Sequence, residues 1–168
     1  MKRFFLNLLC ICILSISLAG CENSAIDTVK SGILNFDKST TIGKAFDNYS
    51  YFKKTSWTEF ETKQGQRVVE FEGVINYDKV FSNVNPEAYL YKKYINNKEL
   101  MDKAKPSILV QFVINKDSSF QISFFGIKTQ DARYDRNIKD LAKLYRDERM
   151  DALAGSVNHV VGMNWLEF

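Results

Sequence analysis

The sequence predicts an α+β fold: an antiparallel sheet built from two hairpins, with helices packed on one face. Three observations lead there. Two pairs of runs rich in β-branched and aromatic residues, 57–62 with 67–77 and 108–115 with 119–127, are each joined by a short polar turn. Segments with apolar residues at helical spacing lie before, between and after these pairs. The chain has 168 residues, 45% of them hydrophobic, only two prolines and no Ser/Gly linker, which suits a single core.

The elements follow in order. Residues 32–36 are expected to form a short strand. Ser39, Thr40 or Thr41 offers a helix N-cap, and Ile42, Ala45, Phe46 and Tyr49 then fall at i, i+3, i+4 and i+7, the spacing of a short amphipathic helix. The first hairpin turns at Lys63-Gln64-Gly65-Gln66. Asn85 followed by Pro86 is an N-cap and first-turn signature, so a helix is expected to about Met101, weakened at its centre by Asn96-Asn97. Pro106 separates it from the second hairpin. Pairing Ile114 with Phe120 there puts Val110, Phe112, Ile114, Phe120, Ile122 and Phe124 on one face and Gln111, Gln121 and Ser123 on the other. From Asn137 to about Leu153 a helix would place Ile138, Leu141, Tyr145 and Ala152 on one face, with Arg136, Lys139, Lys143 and Arg146 opposite. The apolar tail 157–168 is expected to dock as a strand. Val69-Glu70-Phe71 and Val110-Gln111-Phe112, each followed shortly by Ile-Asn, form a faint internal echo.

The first twenty residues belong to another category. Met1-Lys2-Arg3 is a basic start, and residues 4–19 are apolar except for Asn7, Ser15 and Ser17. That run is shorter than the ~20 residues of a spanning helix and has no basic stop-transfer flank, the pattern of a cleaved secretory signal. It ends in Leu18-Ala19-Gly20-Cys21, which resembles the lipobox of bacterial lipoproteins. The resemblance covers these 21 residues alone. It implies cleavage before Cys21, three acyl chains on that residue and, with Glu22 behind it, the periplasmic face of the outer membrane in a Gram-negative cell.

Cys10 and Cys12 would leave with the signal, so Cys21 would be the one cysteine of the mature chain, with no disulfide, thiol nucleophile or cysteine metal site. The expected organisation is a signal peptide at 1–20, a lipidated cysteine and short tether at 21–31, and one domain at 32–168. The polar stretch after Cys21, about nine residues long, would reach roughly 15 to 18 Å as random coil. Without the first twenty residues, which hold Lys2 and Arg3 and no acid, the remaining 148 carry 21 Lys+Arg against 20 Asp+Glu. Such a near-neutral body has no field to attract nucleic acid.

Candidate chemistry centres on the first hairpin. A two-residue turn at Gln64-Gly65 sets Glu59 opposite Glu70 and Trp57 opposite Glu72; a same-parity shift sets Glu59 opposite Glu72 and Glu61 opposite Glu70. Either places four carboxylates on one face, where like charges invite Ca²⁺, a raised pKa, or a carboxylate pair for glycoside hydrolysis. A solvated face answered by lysines accounts for them as well. The helical basic residues, Lys139 and Lys143 above all, could meet anionic lipid or glycan, although Asp140 and Asp147 lie among them. Tyr89, Tyr91 and Tyr94 could form a recognition surface. His159, the one histidine, sits three residues after Ser156, but no nucleophile-elbow glycine pattern surrounds any serine, and neither a metal-ligand spacing nor a phosphate loop occurs.

The expected function is a membrane-anchored periplasmic lipoprotein acting as a non-catalytic binding or accessory module of the cell envelope. Its expected partners are the membrane, through the lipid, and an envelope protein or glycan, with no cofactor, metal or nucleic acid. The candidate binding residues are Glu59, Glu70, Glu72, Tyr91, Lys139 and Lys143, with Cys21 the lipidation site. The competing expectations are a glycan-directed envelope hydrolase using the paired hairpin carboxylates, and an inhibitor or exclusion lipoprotein.

Overall fold

The computed structural model describes residues 24–130 and 132–163. The expected signal peptide, Cys21 and the last residues of the tail lie outside them. The fold is α+β, with a five-stranded antiparallel sheet in the order β1-β2-β3-β4-β5. Strands β1 (Phe52–Glu61) and β2 (Arg67–Ile75) form the first hairpin, β3 (Ser107–Ile114) and β4 (Phe120–Lys128) the second, and the short β5 (Arg133–Asp135) ends the sheet.

The helices are α1 (Ala25–Ser31), α2 (Ile42–Asp47), α3 (Tyr77–Val80), α4 (Tyr89–Asn96), α5 (Lys98–Ala104), α6 (Leu141–Tyr145) and α7 (Asp151–Met163). They share one core with one sheet face, where Phe46 of α2 contacts Phe71 at 4.8 Å and Trp57 at 5.9 Å between ring centroids. Among the described residues no helix is long and apolar enough to cross a membrane.

The first correction concerns the expected tether. Residues 25–31 are helix α1, N-capped by the Ser24 side chain, with Ala25 and Val29 buried in the core. Ala25 and Val29 are four residues apart, so one turn suffices to make an apolar contact within a polar-looking sequence. The domain therefore begins seven residues before the expected boundary at 32. Residues 32–36 are not a strand: they hold one bridge, between Leu34 and Asp37.

Thr41 is the α2 N-cap, accepting from Lys44 N at 3.3 Å, and Ile42, Ala45, Phe46 and Tyr49 are all buried, as their spacing predicts. Strand β1 starts five residues before the expected Trp57. Its early half, poor in β-formers, is held by pairing with β2.

Both hairpins have three-residue loops. Thr62 N–H donates to Gln66 O at 2.9 Å and Asn115 N–H to Ser119 O at 2.8 Å, with left-handed residues at Gly65 (φ 75°) and Ser118 (φ 64°). A type I turn followed by one left-handed residue is the usual three-residue solution. In the second hairpin Ile114 faces Phe120 and Phe112 faces Ile122 as expected. A bulge then makes Gln111 the partner of Phe124 and Val110 that of Phe125. Phe124 thus leaves the core face, and Phe125 and Ile127 are buried on it instead. The echoing triplets are antiparallel neighbours, Glu70 opposite Gln111, on the second strand of one hairpin and the first of the other. Hairpin duplication does not relate them.

The expected helix to Met101 breaks at Asn97 into α4 and α5, where Asn97 N–H donates to Tyr94 O and Asn97 O receives Met101 N–H. It starts at Tyr89, three residues after Pro86. Similarly, the expected helix from Asn137 is a 3₁₀ turn (Ile138–Asp140) followed by α6, which stops before the left-handed Asp147 (φ 52°). The tail is helical to Met163 rather than a strand, because Leu153, Val157, Val160 and Val161 form a buried stripe at 3.6-residue spacing. Its valines favour strands by propensity, and packing overrides that.

Candidate functional site

The register of the first hairpin decides the acidic cluster. Trp57 lies opposite Phe71, Thr58 opposite Glu70, Glu59 opposite Val69 and Glu61 opposite Arg67. Relative to the two-residue turn this is a slip of one residue, which exchanges the faces of a strand. Glu59 and Glu61 therefore share the helix-bearing side with Trp57, whereas Glu70 and Glu72 stand on the opposite face of the sheet. The expectation of four carboxylates on one face is corrected. An extra loop residue lets Trp57, Val69 and Phe71 all point into the core.

Each carboxylate then meets its own donors. Glu59 Oε1 accepts from Arg67 Nη2 at 2.8 Å and Nε at 3.0 Å. Glu70 Oε2 accepts from Gln111 Nε2 at 2.7 Å, with Arg133 Nη2 3.7 Å away. Glu72 accepts from Ser107 Oγ and from Lys128 Nζ, one on each oxygen, both at 2.7 Å. On this same face Leu109 of β3, the partner of Glu72, is wholly buried.

The electrostatics of Glu72 agree with a structural ion pair. Partial burial pushes its pKa up. The hydrogen bonds from Lys128 and Ser107, with the charges of Lys128 and Arg133, outweigh that, and its pKa lies below the ordinary value. A general acid needs the opposite shift. Gln111, Ser107, Lys128 and Arg133 are the residues sequence reasoning missed. For the first three the signal was alternation along β3 and β4, readable only once β2 is placed beside β3; Arg133 lies on the short β5, opposite Lys128.

The other candidates separate too. Tyr94 is buried and stacks on Tyr77 and Phe81 at 5.2 and 5.1 Å; Tyr91 meets the edge of Phe81 at 5.9 Å. Tyr89 alone is well exposed, at 69%, with Lys93 over its ring at 5.7 Å. Positions i, i+2 and i+5 cannot share one helix face. Lys139 is exposed, while Lys143 pairs with Asp151 at 2.7 Å and Arg146 with Glu148 at 2.9 Å. The break at Asp147 thus leaves no continuous basic stripe, and the counter-charges are not the expected ones: Asp147 accepts from Ser50 N–H at 2.8 Å.

His159 stacks on Tyr134 at 4.1 Å and contacts the Arg136 guanidinium; burial and that positive charge both lower its pKa. Ser156 is turned away from it. Its hydroxyl donates to Leu153 O at 2.5 Å and accepts from the buried Tyr77 hydroxyl, so the two residues form no Ser/His pair.

A cleft of about 180 Å³ lies between β2 and α5, with Lys53, Tyr77, Met101, Asp102 and Lys105 in its walls. This is smaller than the roughly 300 Å³ and above of ordinary ligand pockets. Among the described residues no group of three or more His, Cys, Asp and Glu side chains is placed to hold a metal ion. Comparison with known proteins yields no match, whether to family models, to curated proteins or to solved structures.

Proposed function

We propose that this protein is an outer-membrane lipoprotein whose domain, on the periplasmic face, serves as a non-catalytic binding or accessory module of the cell envelope. The observation that carries the reading is the spacing between Leu18-Ala19-Gly20-Cys21 and Ala25, the first buried residue of the domain. Four residue steps span at most about 14 Å, so an acylated Cys21 would hold the domain against the bilayer. Three acyl chains exceed the two lipid signals that stable anchoring takes. Binding rather than catalysis is supported by the pairing of Glu59, Glu70 and Glu72 with separate donors.

The test combines acyl labelling with photocrosslinking in cells. A clickable palmitate analogue should label the wild-type chain and fail to label Cys21→Ala. A photoreactive residue at the exposed Tyr89 should give a discrete protein or glycan adduct in the outer-membrane fraction. An unlabelled wild-type chain would overturn the anchor, and correct lipidation with turnover of an envelope glycan would overturn the non-catalytic reading.

A further inference from the structure

Strand β1 is the long edge of the sheet. Among the described residues β2 is its only strand neighbour, and none of its ten residues is fully buried. The direction of its main chain follows from the bonds around it. Thr62 N–H donates across the hairpin to Gln66 O at 2.9 Å, so after the bulge at Lys53 the even-numbered residues of β1 bond to β2. Thr55, Trp57 and Glu59 therefore turn their N–H and C=O groups outward, and no hydrogen bond among the described residues takes them up. An unpaired edge of this kind is a template for another strand.

The charges say which strand fits. Lys53 and Lys54 stand at the start of β1, and Glu59 and Glu61 at its end. Glu59 is held by Arg67, whereas Glu61 and Lys54 have no ion-pair partner among the described residues; Lys53 lies at a loose 3.9 Å from Asp78. A strand basic at one end and acidic at the other is complementary to itself when antiparallel.

We infer that β1 pairs antiparallel with β1 of a second copy of this chain, across a two-fold axis at Trp57. In that register Trp57 faces its counterpart, Thr55 faces Glu59, Ser56 faces Thr58, and Lys53 of each copy meets Glu61 of the other. One step away, with Ser56 facing its counterpart, the outward residues also pair but Lys53 meets Glu59, which Arg67 already holds; the register at Trp57 uses Glu61 instead. The interface is isologous, so it closes as a dimer joining two five-stranded sheets. The pairing is independent of the lipid anchor.

The test uses the full chain in membranes, with two differently tagged versions carrying Ser56→Cys and Thr58→Cys. These positions form a non-hydrogen-bonded pair with Cα atoms about 4.5 Å apart, within the range a disulfide spans. The expected result is a disulfide-linked dimer between the two versions in excess over either self-product. Lys53→Glu/Lys54→Glu and Glu61→Lys, each introduced alone into both versions, should lower its yield roughly ten-fold. Combining the acidic strand in one version with the basic strand in the other should restore it. All five substituted positions are exposed, and matching thermal unfolding of the variants secures the comparison. No cross-link between folded chains, insensitivity to charge reversal, or capture of a different protein by these cysteines would each overturn the inference.

Discussion

Thr58, not Glu59, stands directly opposite Glu70 across the first hairpin. This single register divides the acidic residues between the two faces of the sheet and sends Trp57, Val69 and Phe71 together into the core. The left-handed Gly65 accommodates the third loop residue that this register needs.

The two hairpin loops make a matched experiment. Both place their third residue in the left-handed region, but one has Gly65 there and the other Ser118. Gly65→Ala should cost about 1 kcal/mol, and Ser118→Gly should be neutral to stabilising by up to about 1 kcal/mol, the smaller strain offset by a freer unfolded chain. Urea unfolding of the two variants measures both.

Val29 tests the extent of the domain. It is wholly buried in α1, inside the segment that composition marks as a tether. Val29→Ala removes two buried methyl groups and should cost roughly 2 kcal/mol, visible as a lowered denaturation midpoint. An unchanged midpoint would return α1 to the tether.

Tyr77 and Ser156 form a buried polar pair that joins α3 to α7. Burial pushes the Tyr77 phenol well above its usual pKa, so it stays a neutral donor. Ser156→Ala strands that donor and should cost about 1 to 3 kcal/mol. Adding Tyr77→Phe should recover part of the loss, and a double-mutant cycle reads the coupling. Additive effects would mean that the hydroxyls do not interact.

Glu72 makes stability depend on pH. Its folded pKa is depressed, so its contribution is complete above the ordinary glutamate value of 4.5 and is lost as pH falls through the lower folded value. Wild type should therefore lose stability below about pH 4.5, and Glu72→Gln should be less stable at pH 7 with a shallower acid limb. Chemical denaturation at pH 7 and pH 3.5 measures the difference; parallel acid limbs would assign the acid sensitivity elsewhere.

The α+β class, the two hairpins, the Thr41 cap and the helix at Ile42 were legible because each rests on local chemistry: a polar turn between β-formers, an oxygen before an apolar repeat. Pairing Ile114 with Phe120 was legible for the same reason, since the apolar residues of both strands alternate up to the loop. The first hairpin was not. Gly65 serves a two-residue or a three-residue turn equally well, and only burial of Trp57 and Phe71 selects one.

The candidate site was least legible. The carboxylates were visible, but their partners Gln111, Lys128 and Arg133 lie on other strands, and the pairing of β2 with β3 spans the whole α3–α5 insertion. Likewise α7 carries strand-forming valines that become helix because Leu153, Val157 and Val160 must reach the core together.

What the sequence determined by itself is therefore whatever nearest neighbours specify: turns, caps, the periodicity of Ile42 to Tyr49, and the Leu18 to Cys21 motif with the lipoprotein resemblance it carries. The tertiary structure decided register, the Ser123 bulge, the breaks at Asn97 and Asp147, and which charges meet. Each of these turns on a shift of a single residue. Such a shift alters local energies little, and it decides whether whole side chains are buried or exposed.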